Sequence, residues 1–277
     1  MFTAHRANDS IVIGTKDFTE QYLLGELMAE LLEAKTDLQV IRKFNLGSTT
    51  ILHKALLAGQ IDIYPEYTGT AYLVILKQNQ IKKPQQTYQF VRKTYLKKYN
   101  LVWLAPFGFN NAESLAVKEQ FAQQHHLVNL SDLETIAGQL HLAAPAEFLK
   151  REDGLLGLTR TYGFRFKKIV QMQPDLVYQA IQNNQVQAIE AFTTDGRIAS
   201  YRLRLLRDNK HFYPPYYAAP IIRHAILTKY PQISLELKAL QGALDDKTMR
   251  HLNYLVDVKK INPQKVAHDF LVAQKLI

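Results

Sequence analysis

Polar and aromatic side chains that could hold a small molecule are concentrated in two short stretches of the chain. Residues 14–21 contain Lys16 and Gln21, and residues 62–70 contain Tyr67 and Thr70. An ammonium group, an amide, a hydroxyl and a phenol can donate hydrogen bonds and present an aromatic face. Neither stretch contains a nucleophile beside a base or the Gly-Lys-Ser/Thr ending of a phosphate loop. These residue types therefore favour binding of a small molecule over its chemical conversion.

Each of these stretches follows a predicted buried strand and leads into a predicted helix. The apolar runs 11–13 and 60–63 predict strands, and residues 20–33 and 71–76 predict helical segments, the first of them amphipathic. A strand at 39–43 and a helix ending at Leu57 continue the alternation. Strand–helix–strand order implies parallel pairing and a sheet covered on both faces. Open α/β sheets bind ligands at the carboxyl ends of their strands, where both stretches lie.

A second α/β region is predicted to be inserted into the first. Strand patterns at 140–143, 168–170 and 188–191 follow a tract containing Gly and Asn at 107–111. The tandem prolines within 212–217 then force extended backbone, and a strand at 220–222 and three helical patterns complete the chain. The sequence therefore predicts an α/β protein of two lobes joined by two crossings. Lobe 1 comprises residues 10–106 plus 219–277, and lobe 2 comprises residues 107–218.

The composition excludes several classes of protein. The chain has 277 residues, of which 47% are hydrophobic and none is cysteine. This length supports a sizeable core, and the absence of cysteine excludes disulfides, thiolate catalysis and cysteine-based zinc sites. No run approaches the ~18 apolar residues of a membrane span. Residues 1–6 reach the first strand without an apolar leader segment, so we expect that a leader has been removed or that the domain was cut from a longer polypeptide.

The net charge of +9 raises the question of nucleic acid or an anionic membrane surface as a partner. The lysine pairs at 82–83, 97–98, 167–168 and 259–260 are separated along the chain, and most of them are interpreted as solvated helix faces. No nucleic-acid-binding motif occurs, so nucleic acid is not an expected partner. Ser131, with Asp132 and Glu134 after it, predicts a capped helix N-terminus rather than a catalytic triad. Neither a cofactor nor a metal site is expected.

Several segments that follow one another in a fixed order carry a resemblance to a known family. They are IGTKDFTEQYLLGELMAELLE, FNLGSTTILHKALLAGQIDIYPEYTGT, GFNN, REDGLLGL, FTTDGRI and HFYPPYYAAP. From about Ile11 to the C-terminus, the chain resembles the substrate-binding proteins of ABC importers for compatible solutes. These are the glycine betaine, choline, carnitine and proline-betaine binders related to ProX, OpuCC and OsmF. The YPEYTGT motif is rather specific for this family, whereas a TDG tripeptide alone would mean little.

The resemblance implies a type II periplasmic-binding-protein fold with two hinge crossings. It implies that a small quaternary-ammonium ligand is captured between the two lobes and handed to the transmembrane subunit of an ABC permease. It also implies a monomeric protein without enzymatic activity. The implied location is periplasmic or extracytoplasmic, with a leader removed or the domain excised from a permease fusion.

The resemblance also implies which residues contact the ligand. A quaternary ammonium group has no N–H to donate and is held by aromatic faces and carboxylates, whereas a ligand carboxylate needs basic or hydroxyl donors. The matching motifs imply Tyr67 and Tyr216 as aromatic walls, and Lys16 and Arg151 as partners of a ligand carboxylate. The other expected contacts in these motifs are Gln21, Thr70, Phe109 and Asn110.

Two positions depart from the family's pattern. The chain has Asn-Asn-Ala-Glu at 110–113, where relatives commonly have Asn-Asn-Thr-Tyr or Asn-Asp-Thr-Tyr, so Glu113 replaces a cage tyrosine. Phe192 stands where many relatives have another cage tyrosine, and it keeps the aromatic face without the hydroxyl. Glu113 is expected either to attract a cation or to be a solvent-exposed residue at the start of a strand.

The altered cage leaves the identity of the ligand open. Glycine betaine, choline and carnitine are the first expectation, and ergothioneine or another small zwitterion is the alternative within transport. The effector-sensing domain of a regulator is a further alternative because it shares the two-lobed fold. An enzyme is the least favoured class, since no polar catalytic set is found.

Overall fold

The three strands predicted in the first sixty-odd residues are present, but the third is displaced along the chain. The computed structural model describes residues 9–78 and 84–277, with β1 at Ser10–Gly14, β2 at Gln39–Lys43 and β3 at Ile63–Tyr67. The predicted strand at 60–63 is wrong in its extent, because a later strand pairs with β3 from Ile63 through Tyr67. Tyr67 is therefore the last residue of a strand. The first eight residues and the lysine pair at 82–83 lie outside the described residues.

Seven further strands are found in the described residues, and not all of them were predicted from the sequence. They are β4 at Leu101–Trp103, β5 at Glu113–Lys118, β6 at His141–Ala144, β7 at Lys168–Gln171, β8 at Ala188–Phe192, β9 at Leu203–Leu205 and β10 at Ala218–Arg223.

Thirteen α-helical segments are found in the described part of the chain, together with short 3₁₀ and π turns. They are α1 at Thr19–Lys35, α2 at Thr49–Leu57, α3 at Thr68–Thr70 (continued by a π turn at Ala71–Ile75), α4 at Pro84–Tyr99, α5 at Glu119–Gln124, α6 at Ala146–Lys150, α7 at Leu155–Tyr162, α8 at Pro174–Gln182, α9 at Arg197–Ser200, α10 at His224–Lys229, α11 at Gln232–Leu237, α12 at Asp246–Asp257 and α13 at Pro263–Ala273. The segment after β10 thus holds four α-helices rather than the predicted three.

The described residues divide into two units. The first contains residues 9–78, 84–110 and Tyr216–Ile277, and the second contains Asn111–Pro215. The chain crosses between Asn110 and Asn111 and again between Pro215 and Tyr216, whereas the sequence places the crossings after residues 106 and 218. Asn110 belongs to the first unit because its side-chain oxygen accepts a hydrogen bond from Tyr216 N at 2.7 Å and its backbone bridges to Tyr217. Whether the crossings act as hinges stays a prediction.

The two units have matching sheets. The first has the strand order β2-β1-β3-β10-β4 and the second β7-β6-β8-β5-β9. In each sheet three strands are parallel, and the next two run antiparallel to their neighbours. The predicted parallel pairing is therefore confirmed for β1, β2 and β3 but does not extend to β10, which enters the sheet where β3 ends.

Helix α1 is buried more completely than its sequence suggests. Its bounds agree with the prediction to within two residues, but eleven of its residues are buried because α11, α12 and α13 pack on it. The amphipathic interpretation is therefore wrong. Gly25 is required at a close approach, since a Cβ atom there would lie 2.6 Å from Thr15 Cγ2 and 2.8 Å from Phe44 Cζ.

One segment outside the sheets is capped by a different residue from the predicted one. The segment Leu130–Thr135 is a 3₁₀ helix whose cap is Asn129, which forms a capping box with Asp132; the expectation that Ser131 caps it is wrong.

Among the helices of the described residues, none has both the length and the apolar character needed to cross a membrane. Within 9–78 and 84–277, no group of three His, Asp or Glu side chains is arranged to hold a metal ion.

Candidate functional site

Gln21 fixes the connection between β1 and α1. Its side chain is completely buried, its Oε1 accepts a hydrogen bond from Lys16 N at 3.2 Å, and its Nε2 donates to Pro65 O at 3.1 Å. Both ends of the amide are therefore used to tie this connection to β3. Gln21 thereby orients Lys16. A contact between Gln21 and a ligand stays a prediction.

Lys16 forms a buried ion pair that the sequence analysis did not anticipate. Its Nζ lies 2.5 Å from Glu66 Oε1, and the two side chains are 8% and 0% exposed. Glu66 Oε1 also accepts a hydrogen bond from Tyr67 N at 2.8 Å, and Glu66 Oε2 accepts one from the Tyr64 hydroxyl at 3.4 Å. Burial, reinforced by the Glu66 charge, raises the pKa of Tyr64 well above its usual range, so Tyr64 remains a neutral donor. A ligand carboxylate would have to compete with Glu66 for Lys16.

The side chain of Tyr67 is fixed by contacts to its hydroxyl group and to its ring. Its hydroxyl donates to Glu20 Oε1 at 2.7 Å, and Asn253 Nδ2 donates to the other oxygen of Glu20 at 3.0 Å. The Lys16 ammonium lies 4.9 Å from the centroid of the Tyr67 ring, and the Phe18 ring stacks on it with centroids 6.3 Å apart. Such a fixed ring is suited to a cation–π contact because little rotamer entropy would be lost on binding. Phe18, Glu20 and Asn253 were not found from the sequence.

Four other predicted contacts belong to the first unit, and three of them, Phe109, Asn110 and Tyr216, lie next to its crossings. Phe109 is fully buried and Tyr216 is 2% exposed. Thr70 ends the short helix that follows β3 and is also buried. Asn110 N donates to Asp246 Oδ1 at 2.8 Å, so Asn110 has a structural role in addition to its predicted one. The contacts of these four residues with a ligand stay predictions.

In the second unit, Glu113, Phe192 and Glu190 share one face of the sheet. Glu113 begins β5 directly opposite Phe192, the last residue of β8, and Glu190 lies two residues earlier on β8. Directly opposite residues of an antiparallel pair point to the same side, and so do alternate residues of one strand. Glu113 is 8% exposed, so the alternative of a solvent-exposed residue is wrong. Two carboxyl groups and an aromatic ring thus lie side by side.

The guanidinium of Arg151 is surrounded by carboxylates. Its Nε donates to Asp153 Oδ1 at 2.7 Å, and its Nη2 donates to the other oxygen of the same carboxylate. Its Nη1 lies 3.4 Å from Glu147 Oε1 and 3.8 Å from Glu113 Oε1. Three carboxylates around one guanidinium leave an excess of negative charge, which favours a cation near Glu113 over an anion.

Glu190 is a buried carboxyl group whose environment favours its neutral form. Burial is the main cause, followed by the charges of Glu113 and Asp195, and together they raise the pKa of Glu190 well above its usual range although Arg151 lowers it. A protonated carboxyl group can donate a hydrogen bond, which a carboxylate cannot do. The sequence signal was weak, because Glu190 lies in an apolar run that predicts only a strand.

Asp195 holds the turn after β8. Its Oδ1 accepts hydrogen bonds from Arg197 N at 2.8 Å and from Arg197 Nε at 3.0 Å. The Arg197 guanidinium in turn lies 3.9 Å from the centroid of the Tyr178 ring. Asp195 therefore stabilises the position of the segment that follows Phe192.

Comparison with protein families identifies the chain. Residues 9–273 match the family described as the substrate binding domain of ABC-type glycine betaine transport systems. The chain belongs to this family. It is therefore a substrate-binding domain of transport proteins, and the family consists of solute-binding proteins that act outside the cytoplasm.

Several known proteins are similar to this chain over nearly its whole length. The ergothioneine transport permease/ergothioneine binding protein EgtU of Helicobacter pylori is 38% identical over 94% of this chain, which spans only 47% of the length of EgtU. The carnitine transport binding protein OpuCC of Listeria monocytogenes is 35% identical over 96% of this chain and 87% of its own length. A glycine-betaine-binding protein of Pseudomonas aeruginosa is 36% identical over 97% and 89%.

Solved structures of the family confirm the two-lobed α/β fold. A glycine betaine/carnitine/choline ABC transporter structure matches with a TM-score of 0.83 at 31% identity, over 96% of this chain and 99% of the other. Apo YehZ from Escherichia coli matches with a TM-score of 0.75 at 31% identity, over 98% and 100%.

The buried carboxyl group of this substrate-binding domain should make its stability depend on pH. Because the pKa of Glu190 is raised in the folded state, the unfolded chain loses this proton first as pH rises above about 4.5, the ordinary value. The contribution of Glu190 to the free energy of unfolding should therefore fall with rising pH, by at most about 1.4 kcal/mol per pH unit. Glu190→Gln removes the titration, so its stability relative to wild type should increase from pH 5 upward in urea unfolding experiments.

Glu134→Gln is the matched control for this prediction, since Glu134 is exposed in the same unit. It removes one exposed carboxylate, so it shows how far a change of net charge alone alters the pH dependence of stability. If the stability of Glu190→Gln relative to wild type stays constant or decreases as pH rises, Glu190 is not held in its neutral form.

Proposed function

We propose that this domain captures a small quaternary-ammonium compound outside the cytoplasm and delivers it to an ABC permease. Membership of the glycine betaine transport family supports this proposal. So do the names of the similar proteins, which refer to binding or transport of ergothioneine, carnitine and glycine betaine. Residues of both units are proposed to contribute to ligand binding.

The observation that carries the proposal is the face of the second sheet formed by Glu113, Phe192 and Glu190. A trimethylammonium group offers no N–H, so it gains from an aromatic face, worth roughly 0.5–2 kcal/mol, and from a nearby carboxylate. Phe192 supplies the ring and Glu113 the charge. In the first unit the fixed ring of Tyr67 supplies a second aromatic surface.

The charges favour recognition of the ammonium end of the ligand. Both residues that the family resemblance assigns to a ligand carboxylate already pair with carboxylates, Lys16 with Glu66 and Arg151 with Asp153. A ligand carboxylate must displace these partners, whereas an ammonium group near Glu113 would bring a positive charge to a cluster of carboxylates that shares one guanidinium. We therefore propose that cationic choline binds more tightly than zwitterionic glycine betaine, because glycine betaine carries the additional carboxylate.

Ergothioneine is the second candidate ligand. The similarity to EgtU, over nearly the whole of this chain, favours it. Ergothioneine is a betaine derivative of histidine, so its ring adds N–H donors that choline lacks. Glu113 as an acceptor and neutral Glu190 as a donor or acceptor provide hydrogen-bond partners for such a ring.

A thermal-shift screen tests the proposed function. The purified domain is heated alone and with choline, glycine betaine, carnitine or ergothioneine, and with amino acids and sugars as control ligands. We expect at least one quaternary-ammonium compound to raise the melting temperature, since a ligand that binds only the folded state stabilises it by an amount that grows with the logarithm of its concentration relative to its Kd. A shift with amino acids or sugars alone would contradict the proposal.

The partner and the oligomeric state complete the proposal. We propose that a permease subunit receives the ligand and that the domain itself is a monomer. EgtU supports the first point because its name combines a permease with a binding protein in one chain. Light scattering of the purified domain at increasing concentration checks the second.

A further inference from the structure

The excess positive charge of the chain is concentrated in one segment. Between Glu66 and Glu113 there is no acidic residue, and this segment contains seven basic residues. These are Lys77, Lys82, Lys83, Arg92, Lys93, Lys97 and Lys98. This segment of 46 consecutive residues therefore contributes +7 to the net charge of +9. Lysine pairs that are merely separated along the chain would not produce such a concentration of charge.

Helix α4 displays four of these charges on its surface. Arg92, Lys93, Lys97 and Lys98 are exposed, and the apolar side chain of Leu96 among them is 46% exposed. A groove of about 570 Å³ runs along this face and is lined by Phe90, Lys93, Thr94, Lys97 and Lys98. We call the surface formed by these five residues, together with Arg92 and Leu96, the α4 basic face.

The cations of this face differ from most arginines elsewhere in the protein. Within 9–78 and 84–277, none of Arg92, Lys93, Lys97 and Lys98 has a carboxylate oxygen within 4.0 Å. By contrast, Arg42 lies within that distance of Glu26, Glu30 and Glu33. The α4 basic face is therefore not neutralised by neighbouring carboxylates.

We propose that the α4 basic face docks the domain on an anionic lipid surface. Lysine near a negatively charged leaflet is attracted without needing a shaped partner, and lysine stems can lie over apolar surface while their ammonium groups reach the head groups. A basic helix face with an exposed leucine has the character of a helix that lies on a membrane surface. Stable protein–protein interfaces are instead depleted of lysine, which makes an acidic protein partner the less favoured occupant. This docking is independent of ligand capture.

Vesicle binding tests this proposal with a charge-matched control. The domain is sedimented with vesicles containing phosphatidylglycerol and with vesicles of phosphatidylcholine alone. The test variant is Lys93→Gln/Lys97→Gln/Lys98→Gln, and the control variant is Lys238→Gln/Lys259→Gln/Lys260→Gln, which removes three charges from exposed positions of the same unit. Melting temperature and ligand binding are measured for both variants, so that misfolding is recognised.

Wild type and the control variant should bind the anionic vesicles alike and the neutral ones weakly. The test variant should lose about 100-fold in affinity at low salt, and ~0.5 M salt should abolish the difference. Equal losses in the two triple variants would show that only net charge matters and would overturn the proposal. Absence of binding to anionic vesicles, accompanied by loss of transport in the test variant reconstituted with a permease, would assign the face to an acidic protein partner and also overturn it.

Discussion

Glu66→Gln is expected to lower the free energy of unfolding by about 3–5 kcal/mol, the cost of removing one partner from a buried ion pair. The change leaves the Lys16 ammonium beside a neutral amide in a site where both side chains are almost completely buried. It also weakens the acceptor for Tyr67 N and the Tyr64 hydroxyl. Urea unfolding of wild type and variant measures the difference.

Two further variants separate the charge from the shape of this site. Lys16→Met combined with Glu66→Gln removes both charges and should recover most of the loss, because no buried charge is left without a counter-charge. Lys265→Met, which removes the exposed pair with Asp269, should cost less than about 1 kcal/mol. A similarly small loss for Glu66→Gln would mean that the Lys16–Glu66 pair contributes no more than a surface pair.

Tyr67→Ala is expected to weaken ligand binding by about 1–3 kcal/mol, since it removes an aromatic wall and leaves a void. The ring is fixed by the hydroxyl contact to Glu20 and by the stacked ring of Phe18, so nothing nearby can replace it without rearrangement. Titration calorimetry with the ligand that gives the largest thermal shift measures the effect.

Tyr67→Phe is the matched control. It keeps the ring and removes the hydroxyl, so affinity should remain within about threefold while the free energy of unfolding falls by about 1 kcal/mol through the lost hydrogen bond. Unchanged affinity in Tyr67→Ala would remove Tyr67 from the ligand site. Equal losses of affinity in both variants would assign the effect to the hydroxyl rather than to the ring.

Much of the fold follows from local patterns in the sequence. The bounds of β2 are predicted without error, and β1, β6, β7 and β8 are found within one or two residues, because short apolar runs between turns have few alternatives. The extent of β3 was missed because it depends on pairing with β10, which is more than 150 residues away. The burial of α1 was missed for a similar reason, since its covering helices come from the end of the chain.

The candidate site is less predictable than the fold. Family motifs mark Lys16, Tyr67, Arg151 and Phe192, but they do not reveal that Lys16 and Arg151 already have carboxylate partners. Those partnerships arise from tertiary contacts. Lys16 meets Glu66 fifty positions later in the chain.

Asn253 and Glu190 were not found from the sequence because their roles also depend on tertiary contacts. Asn253 reaches Glu20 across 233 positions, and Glu190 gains its character from burial beside Glu113 on a neighbouring strand. A glutamate in an apolar run was the one available signal for Glu190. Side-chain chemistry of this kind follows from the folded neighbourhood and not from the local sequence.

The central claim is that the domain recognises the positive charge of a quaternary ammonium group, and competition calorimetry tests it directly. The domain is titrated with choline, glycine betaine, carnitine and ergothioneine, and the tightest ligand is then titrated in the presence of excess 3,3-dimethyl-1-butanol, the uncharged isostere of choline. We expect at least one of the four compounds to bind and the isostere to leave its affinity unchanged, because aromatic faces and Glu113 attract the cation and not the tert-butyl group. Binding of none of the four, or displacement by the isostere as effective as displacement by choline, would contradict the account.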